Sequence, residues 1–174
     1  MTPTLSSSDF ELFGLPEQFA QDLAAIDARW KELQREVHPD KFAGQGASAQ
    51  RVAMQWSVRV NEAYRRLRDA LQRAAYLCER RGAPIEAESN TSMPGEFLVQ
   101  QMAWREELEQ ARLPEDIEQV NAELATARSE TLQRIASLLD ESADAAAAAR
   151  QVRALMFIER FAHDVDARFD QLGQ

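Results

Sequence analysis

Cysteine is nearly missing from this chain. The single Cys78 excludes an internal disulfide framework, and alone it cannot assemble a structural zinc or a metal–sulfur cluster, each of which needs several ligands. Two histidines, His38 and His163, do not change that, and no cofactor or metal is expected. Cys78 follows the apolar run Ala74-Ala75-Tyr76-Leu77, so it reads as a small buried hydrophobe rather than a reactive thiol. Long apolar runs are also missing. No stretch approaches the roughly 18 residues a membrane span requires, and no basic segment followed by an apolar core opens the chain. A soluble, cytoplasmic protein with no membrane partner is the expectation. Alternating β-branched segments closed by Asn-Gly or Asp-Gly are scarce too, which leaves an all-α fold.

The 174 residues suffice for one medium domain or two small ones. Charge divides them unevenly. Residues 1–82 hold 12 Lys/Arg against 11 Asp/Glu, whereas residues 83–174 hold 8 against 18. Two functional surfaces are implied, and the acidic half is a poor match for nucleic acid, whose phosphates call for a concentrated positive field.

Apolar spacing locates the helices. Asp22 can cap a helix whose Leu23, Ile26, Trp30, Leu33 and Val37 form one stripe. Pro39 ends it near Val37, because proline disfavours the α region for His38 and supplies no N–H of its own. His38-Pro39-Asp40 is therefore expected as a turn, not helix. After a loop with Gly44 and Gly46, a second long helix starts near Ser48, with Val52, Trp56, Val60, Ala63 and Leu67 facing its partner in an antiparallel hairpin. A shorter helix through Leu71, Ala74, Ala75 and Cys78 ends at Arg80-Arg81-Gly82, a basic last turn followed by glycine. Residues 83–94, with two prolines and no sustained period, read as a linker. Three further helices are expected at roughly 95–111, 115–140 and 143–171, with Pro114 in the first turn of the middle one and Ser142 available to cap the last. Short connections favour an antiparallel three-helix bundle over 95–174.

Two apolar stripes emerge on the 95–111 helix. Phe97, Trp104, Leu108 and Ala111 cluster on one side, while Leu98, Val99 and Met102 lie roughly 100–200° away with Glu106 among them. One bundle face cannot bury both. In the last helix, Leu155, Ile158, Phe161, Val165, Phe169 and Leu172 share a broad face from which Phe157 lies about 100° away, surplus to the core. Such surplus could pack on the N-terminal domain or form an exposed patch rimmed by charge. Ile117, Val120, Leu124, Ile135, Leu138 and Leu139 read as core of the middle helix, and alanines 145–149 as a helix-forming run that permits close approach.

The segment Arg35-Glu36-Val37-His38-Pro39-Asp40-Lys41-Phe42, placed between two amphipathic helices, resembles a J-domain, whose signature is His-Pro-Asp. Asp9-Phe10-Glu11-Leu12-Phe13-Gly14-Leu15-Pro16 and the run from Phe97 to Leu108 are similar to HscB-type co-chaperones, so the resemblance covers essentially the whole chain. It implies an L-shaped molecule: a J-domain over 1–82, the linker, and the bundle. It implies that His38, Pro39 and Asp40, with the basic residues Arg29, Lys31, Arg35 and Lys41, meet an HscA-like DnaK-type chaperone and accelerate its ATPase. It also implies that Leu98, Val99, Met102, Glu106 and Phe157 bind IscU, an iron-sulfur scaffold protein. Ala103 and Gln110 stand where similar proteins often place carboxylates, and Val99 offers less contact area than a longer side chain. A catalytic site is not expected, since no second group converges with His38. Rival readings are a J-protein for another client and, in a different class, a nucleic-acid binder using the basic stretch Arg59 to Arg68.

Overall fold

The computed structural model describes residues 2–172, and among these there is no strand. The chain divides into two compact units, Met1–Leu77 and Cys78–Gln174.

The first unit opens with α1 (Asp9–Phe13), held by a reciprocal capping box: the Ser8 hydroxyl accepts from Glu11 N–H and the Glu11 carboxylate accepts from Ser8 N–H. Asp9 is fully buried, where its carboxylate receives two bonds from Arg66, at 2.7 and 3.0 Å, and an ion pair from Arg59 at 2.8 Å. α1 is thereby fastened to α3 (Ala47–Arg68), the long helix that carries both arginines. α2 (Leu23–Val37) begins at Asp22, whose side chain accepts from Ala24 N–H at 2.9 Å.

α2 and α3 pair antiparallel. Trp30 stacks on Tyr64 at 4.7 Å between centroids, Trp30 and Gln34 both donate to Asn61, and Tyr64 donates to Asp27. Ile26, Leu33, Val60, Ala63 and Leu67 fill the seam. Two expected stripe residues fall outside it. Leu23, the first residue after the cap, is 39% exposed, and Val52 is 50% exposed because Ala53 takes the buried position one step along. Val52 instead lines a cleft of about 750 Å³ with Leu33, Val37, Phe42 and Trp56.

α4 (Ala70–Arg80) follows a break at Asp69, whose backbone is extended and whose carboxylate accepts from Gln72 N–H at 2.8 Å. Gly82, at φ 81°, ends it in the left-handed conformation that a side chain would strain.

The second unit is a bundle of α5 (Gly95–Gln110), α6 (Pro114–Asp140) and α7 (Ala145–Leu172). α6 and α7 form its main pair, over Ile117, Val120, Leu124, Ile135, Leu139, Val152, Leu155 and Ile158. Buried Ala148 and Ala149 let the helices approach closely. Pro114 occupies the first turn of α6 as expected, but Ser142 does not cap α7. Its hydroxyl turns back to the carbonyl of Ser137, and Asp144 accepts from Ala147 N–H at 3.0 Å. The reason is Ala143, whose φ of 54° reverses the chain and starts the helix two residues later than expected. Phe169, expected in the core, is 39% exposed near the end of α7. The segment preceding α5 is not loose within this unit. The buried Arg153 guanidinium donates to the carbonyls of Ile85, Ser92 and Pro84, replacing a carboxylate partner by three backbone acceptors.

Candidate partner-binding surfaces

α2 stops at Val37 because His38 adopts φ −59° and ψ 129°, the extended conformation that a following proline favours. The chain then makes a single tight 3₁₀ turn over Pro39–Phe42, so the expected turn is one short helical coil begun by His38. Its bonds are local. Lys41 N–H donates to the His38 carbonyl at 3.0 Å, and Asp40 N–H donates to His38 Nδ1 at 3.3 Å. The Asp40 carboxylate also lies 3.6 Å from this nitrogen. Both side chains face solvent, with the imidazole 56% and the Asp40 carboxylate 92% exposed. Proline and the local bonds thus fix the backbone of a turn that presents an imidazole and a carboxylate before any partner arrives.

Lys31, Arg35 and Lys41 are exposed as well. Arg29 differs, since its guanidinium is one-third exposed and paired with Glu32 at 3.1 Å. Among the described residues, Lys31, Arg35 and Lys41 make no ion pair, while Arg29 is already partnered.

On the bundle, α5 seats only one side. Trp104 and Ala111 are buried and Phe97 and Leu108 pack at the margin of the core. Trp104 also donates its indole N–H to Glu123 at 3.3 Å. The remaining faces of α5 carry Leu98, Val99 and Met102, which are 50%, 70% and 72% exposed. Three large apolar side chains at positions i, i+1 and i+4 form a contiguous exposed patch, the kind of surface that marks an interaction site. Glu106 is exposed beside them, and Gln110 donates to its carboxylate at 3.0 Å, so the amide that replaces an expected acid holds Glu106 in place.

Phe157 departs from expectation. It is half-buried and belongs to the aromatic margin of the core, stacked on Phe161 at 5.6 Å and edge-on to Phe97 at 5.8 Å. Its angular offset on α7 points it at α5 rather than at solvent. The Arg105 guanidinium lies over its ring at 5.4 Å. Sequence reasoning missed Arg105, whose contact with a ring 52 positions along the chain no local spacing announces. Cys78 is fully buried, and burial pushes its thiol up to about 11, which fits the inert reading. His163 is exposed on α7.

A J-domain followed by an α-helical bundle with an exposed apolar face defines a co-chaperone of the J-protein class. Residues 93–166 match the family described as the HSCB C-terminal oligomerisation domain. The chain is 51% identical to the co-chaperone protein HscB homolog of Burkholderia multivorans, over 97% of this chain and 98% of the relative. It is 48% identical to the homolog from Bordetella petrii, over 91% and 94%. Among solved structures, chaperone HscB from Vibrio cholerae superposes with a TM-score of 0.81 at 34% identity, over 95% of this chain and 99% of that one. Human co-chaperone protein HscB superposes with a TM-score of 0.88, over 97% and 85%; at 23% identity this likeness concerns the fold. The chain belongs to the HscB family of co-chaperones. Among the described residues, no helix is long and apolar enough to cross a membrane.

Proposed function

We propose that this chain is a bivalent adaptor: His38-Pro39-Asp40 engages an HscA-like DnaK-type chaperone and stimulates its ATPase, while α5 and α7 carry an IscU-like iron-sulfur scaffold to it. The observation that carries this reading is the contiguous exposure of Leu98, Val99 and Met102 on a helix that buries its other side. A folded domain gains nothing by leaving them in water, so their burial against a partner is the available favourable step. Lys31, Arg35 and Lys41 supply positive charge beside the turn for an acidic chaperone surface, and Arg29 joins them by exchanging Glu32 for the partner. Glu106 and Phe157 border the scaffold patch, with Phe157 contributing its edge. The adaptor requires no cofactor and performs no catalysis of its own, the hydrolytic groups belonging to the chaperone, and it works in the cytoplasm.

Holding both proteins raises the scaffold's effective concentration at the chaperone's substrate site, to the millimolar range for short linkages. The test is steady-state ATP hydrolysis by the HscA-like chaperone with this protein, with and without IscU. Wild type stimulates and IscU adds synergy; His38→Gln binds IscU with unchanged affinity but stimulates nothing. Full stimulation by that variant would overturn the role of the turn. The family description naming oligomerisation favours one further reading, in which the patch joins copies of this chain. A dimer in sedimentation that Leu98→Ala/Met102→Ala dissociates, with IscU binding untouched, would decide for it.

A further inference from the structure

Sulfur is unevenly placed on this molecule. Met102, at 72%, is the most exposed large apolar side chain among the described residues and sits inside the proposed scaffold patch with Leu98 and Val99. Met54, 54% exposed, lies on α3 in the other unit. Met93 and Met156 are half-buried, and the Met93 sulfur already accepts from Gln101 Nε2 at 3.1 Å, which occupies a lone pair. The one other sulfur among the described residues, Cys78, is fully buried and held as the thiol. Thioether oxidation follows access to the sulfur lone pair, so the geometry orders the reactive positions as Met102 and Met54 ahead of Met93, Met156 and Cys78.

Resting on the scaffold-binding reading above, we infer that Met102 is an oxidation site that switches off scaffold binding while leaving the chaperone-directed turn intact. In the step, the Met102 thioether attacks the distal oxygen of a peroxide. The S=O bond forms as the O–O bond breaks, sulfur is oxidised, and the peroxide leaves as water or an alcohol. The product is a polar, chiral side chain at the centre of an apolar contact, where its oxygen must be desolvated on binding or the contact given up. His38, Pro39 and Asp40 themselves carry no sulfur and stay as they were. Oxidation thus separates the two activities that the adaptor couples: chaperone stimulation persists and client delivery falls. Reduction by methionine sulfoxide reductases restores the thioether, which makes the switch reversible.

The experiment treats the full-length protein alone with hydrogen peroxide, removes the oxidant so that the scaffold's thiols are never exposed, and maps sulfoxides by peptide mass spectrometry. Affinity for IscU and stimulation of the chaperone in the absence of IscU are then measured. Met102 is expected to oxidise before Met93 and Met156, and scaffold affinity to fall roughly 6- to 40-fold, the loss from forfeiting most of one buried apolar side chain. Stimulation without IscU stays unchanged. Met102→Leu, which keeps the bulk without the sulfur, loses none of its own starting affinity on peroxide treatment; Met54→Leu remains sensitive. Oxidation of Met93 ahead of Met102, undiminished affinity of the sulfoxide form, or equal sensitivity of Met102→Leu would each overturn the switch. Should Leu98→Ala/Met102→Ala itself bind IscU normally, the scaffold-site reading fails, and the switch with it. Loss in that variant with none on oxidation refutes the switch alone.

Discussion

Replacing Leu98 and Met102 together by alanine separates binding from folding, because both side chains reach their partner only in the complex. Burying a Leu or Met side chain completely contributes roughly 1.5–3 kcal/mol. Half of Leu98 and about three-quarters of Met102 remain to be buried, at 50% and 72% exposure, so the pair is worth roughly 2–4 kcal/mol to the complex. Affinity for IscU should therefore weaken roughly 20- to 500-fold. Stability should barely move, since exposed substitutions usually shift unfolding by no more than about 0.5 kcal/mol. Isothermal titration calorimetry measures the first and urea unfolding the second, with Met54→Ala/Val58→Ala as the control for generic loss of surface apolarity, those residues being 54% and 51% exposed in the other unit. A loss under about threefold, or an equal loss in the control, would show that exposure on α5 does not mark the scaffold site.

Two further outcomes concern the scaffold of the fold itself. Asp9→Ala leaves Arg59 and Arg66 without the buried carboxylate between them, and it should destabilise the first unit by roughly 3 kcal/mol, the lower end for a broken buried pair because Arg66 is 38% exposed and can rehydrate. Hydrogen exchange of α1 and α3 in urea reads this directly, and a change below about 1 kcal/mol would contradict the pairing. Cys78, pushed by burial to about 11 from 9.0, should react with iodoacetamide at pH 8 roughly 100-fold more slowly in the native protein than in urea. A thiol whose folded value is raised also binds its proton more tightly when folded. Stability is therefore lost as pH climbs from about 9 through 11, and a flat profile there would refute the burial.

The division of legible from illegible follows the range of the forces. Asp22, Pro39, Pro114 and Gly82 act on their own neighbours, so the helix ends they set were visible in the chain. The capping box at Ser8 and Glu11 is equally local, yet the short helix it starts was not among those expected. What periodicity could not supply was which angular neighbour of a stripe meets another helix. Val52 lost its seat to Ala53, Phe169 lies outside the core, and Phe157 met Phe97 and Phe161 although its angle set it apart. Ser142 failed as a cap because Ala143 takes a positive φ, a conformation that alanine does not announce. Asp9 is bonded to Arg66, 57 residues away, and Arg153 to carbonyls more than 60 residues away, and no spacing rule reaches that far. The exposed patch on α5 was legible because it is an excess: seven large or apolar side chains on one helix exceed what a single bundle face can cover.

The coupling of two surfaces in one chain has a consequence that single-site variants do not reach. If covalent linkage supplies the gain, the chaperone-defective His38→Gln and the scaffold-defective Leu98→Ala/Met102→Ala cannot complement each other in a mixture. One would hold the scaffold and the other would stimulate the chaperone, but on different molecules, and the millimolar effective concentration would fall to the micromolar concentrations of the assay. IscU-dependent synergy should then stay near the level of the scaffold-defective variant alone, a deficit that scales with dilution. Stimulation in the absence of IscU should equal that of the intact turn present. Should the mixture recover the full synergy of wild type at low micromolar protein, the scaffold would be reaching the chaperone unaided after being altered by the bundle. The bundle would then act by changing its client's conformation and not by carrying it.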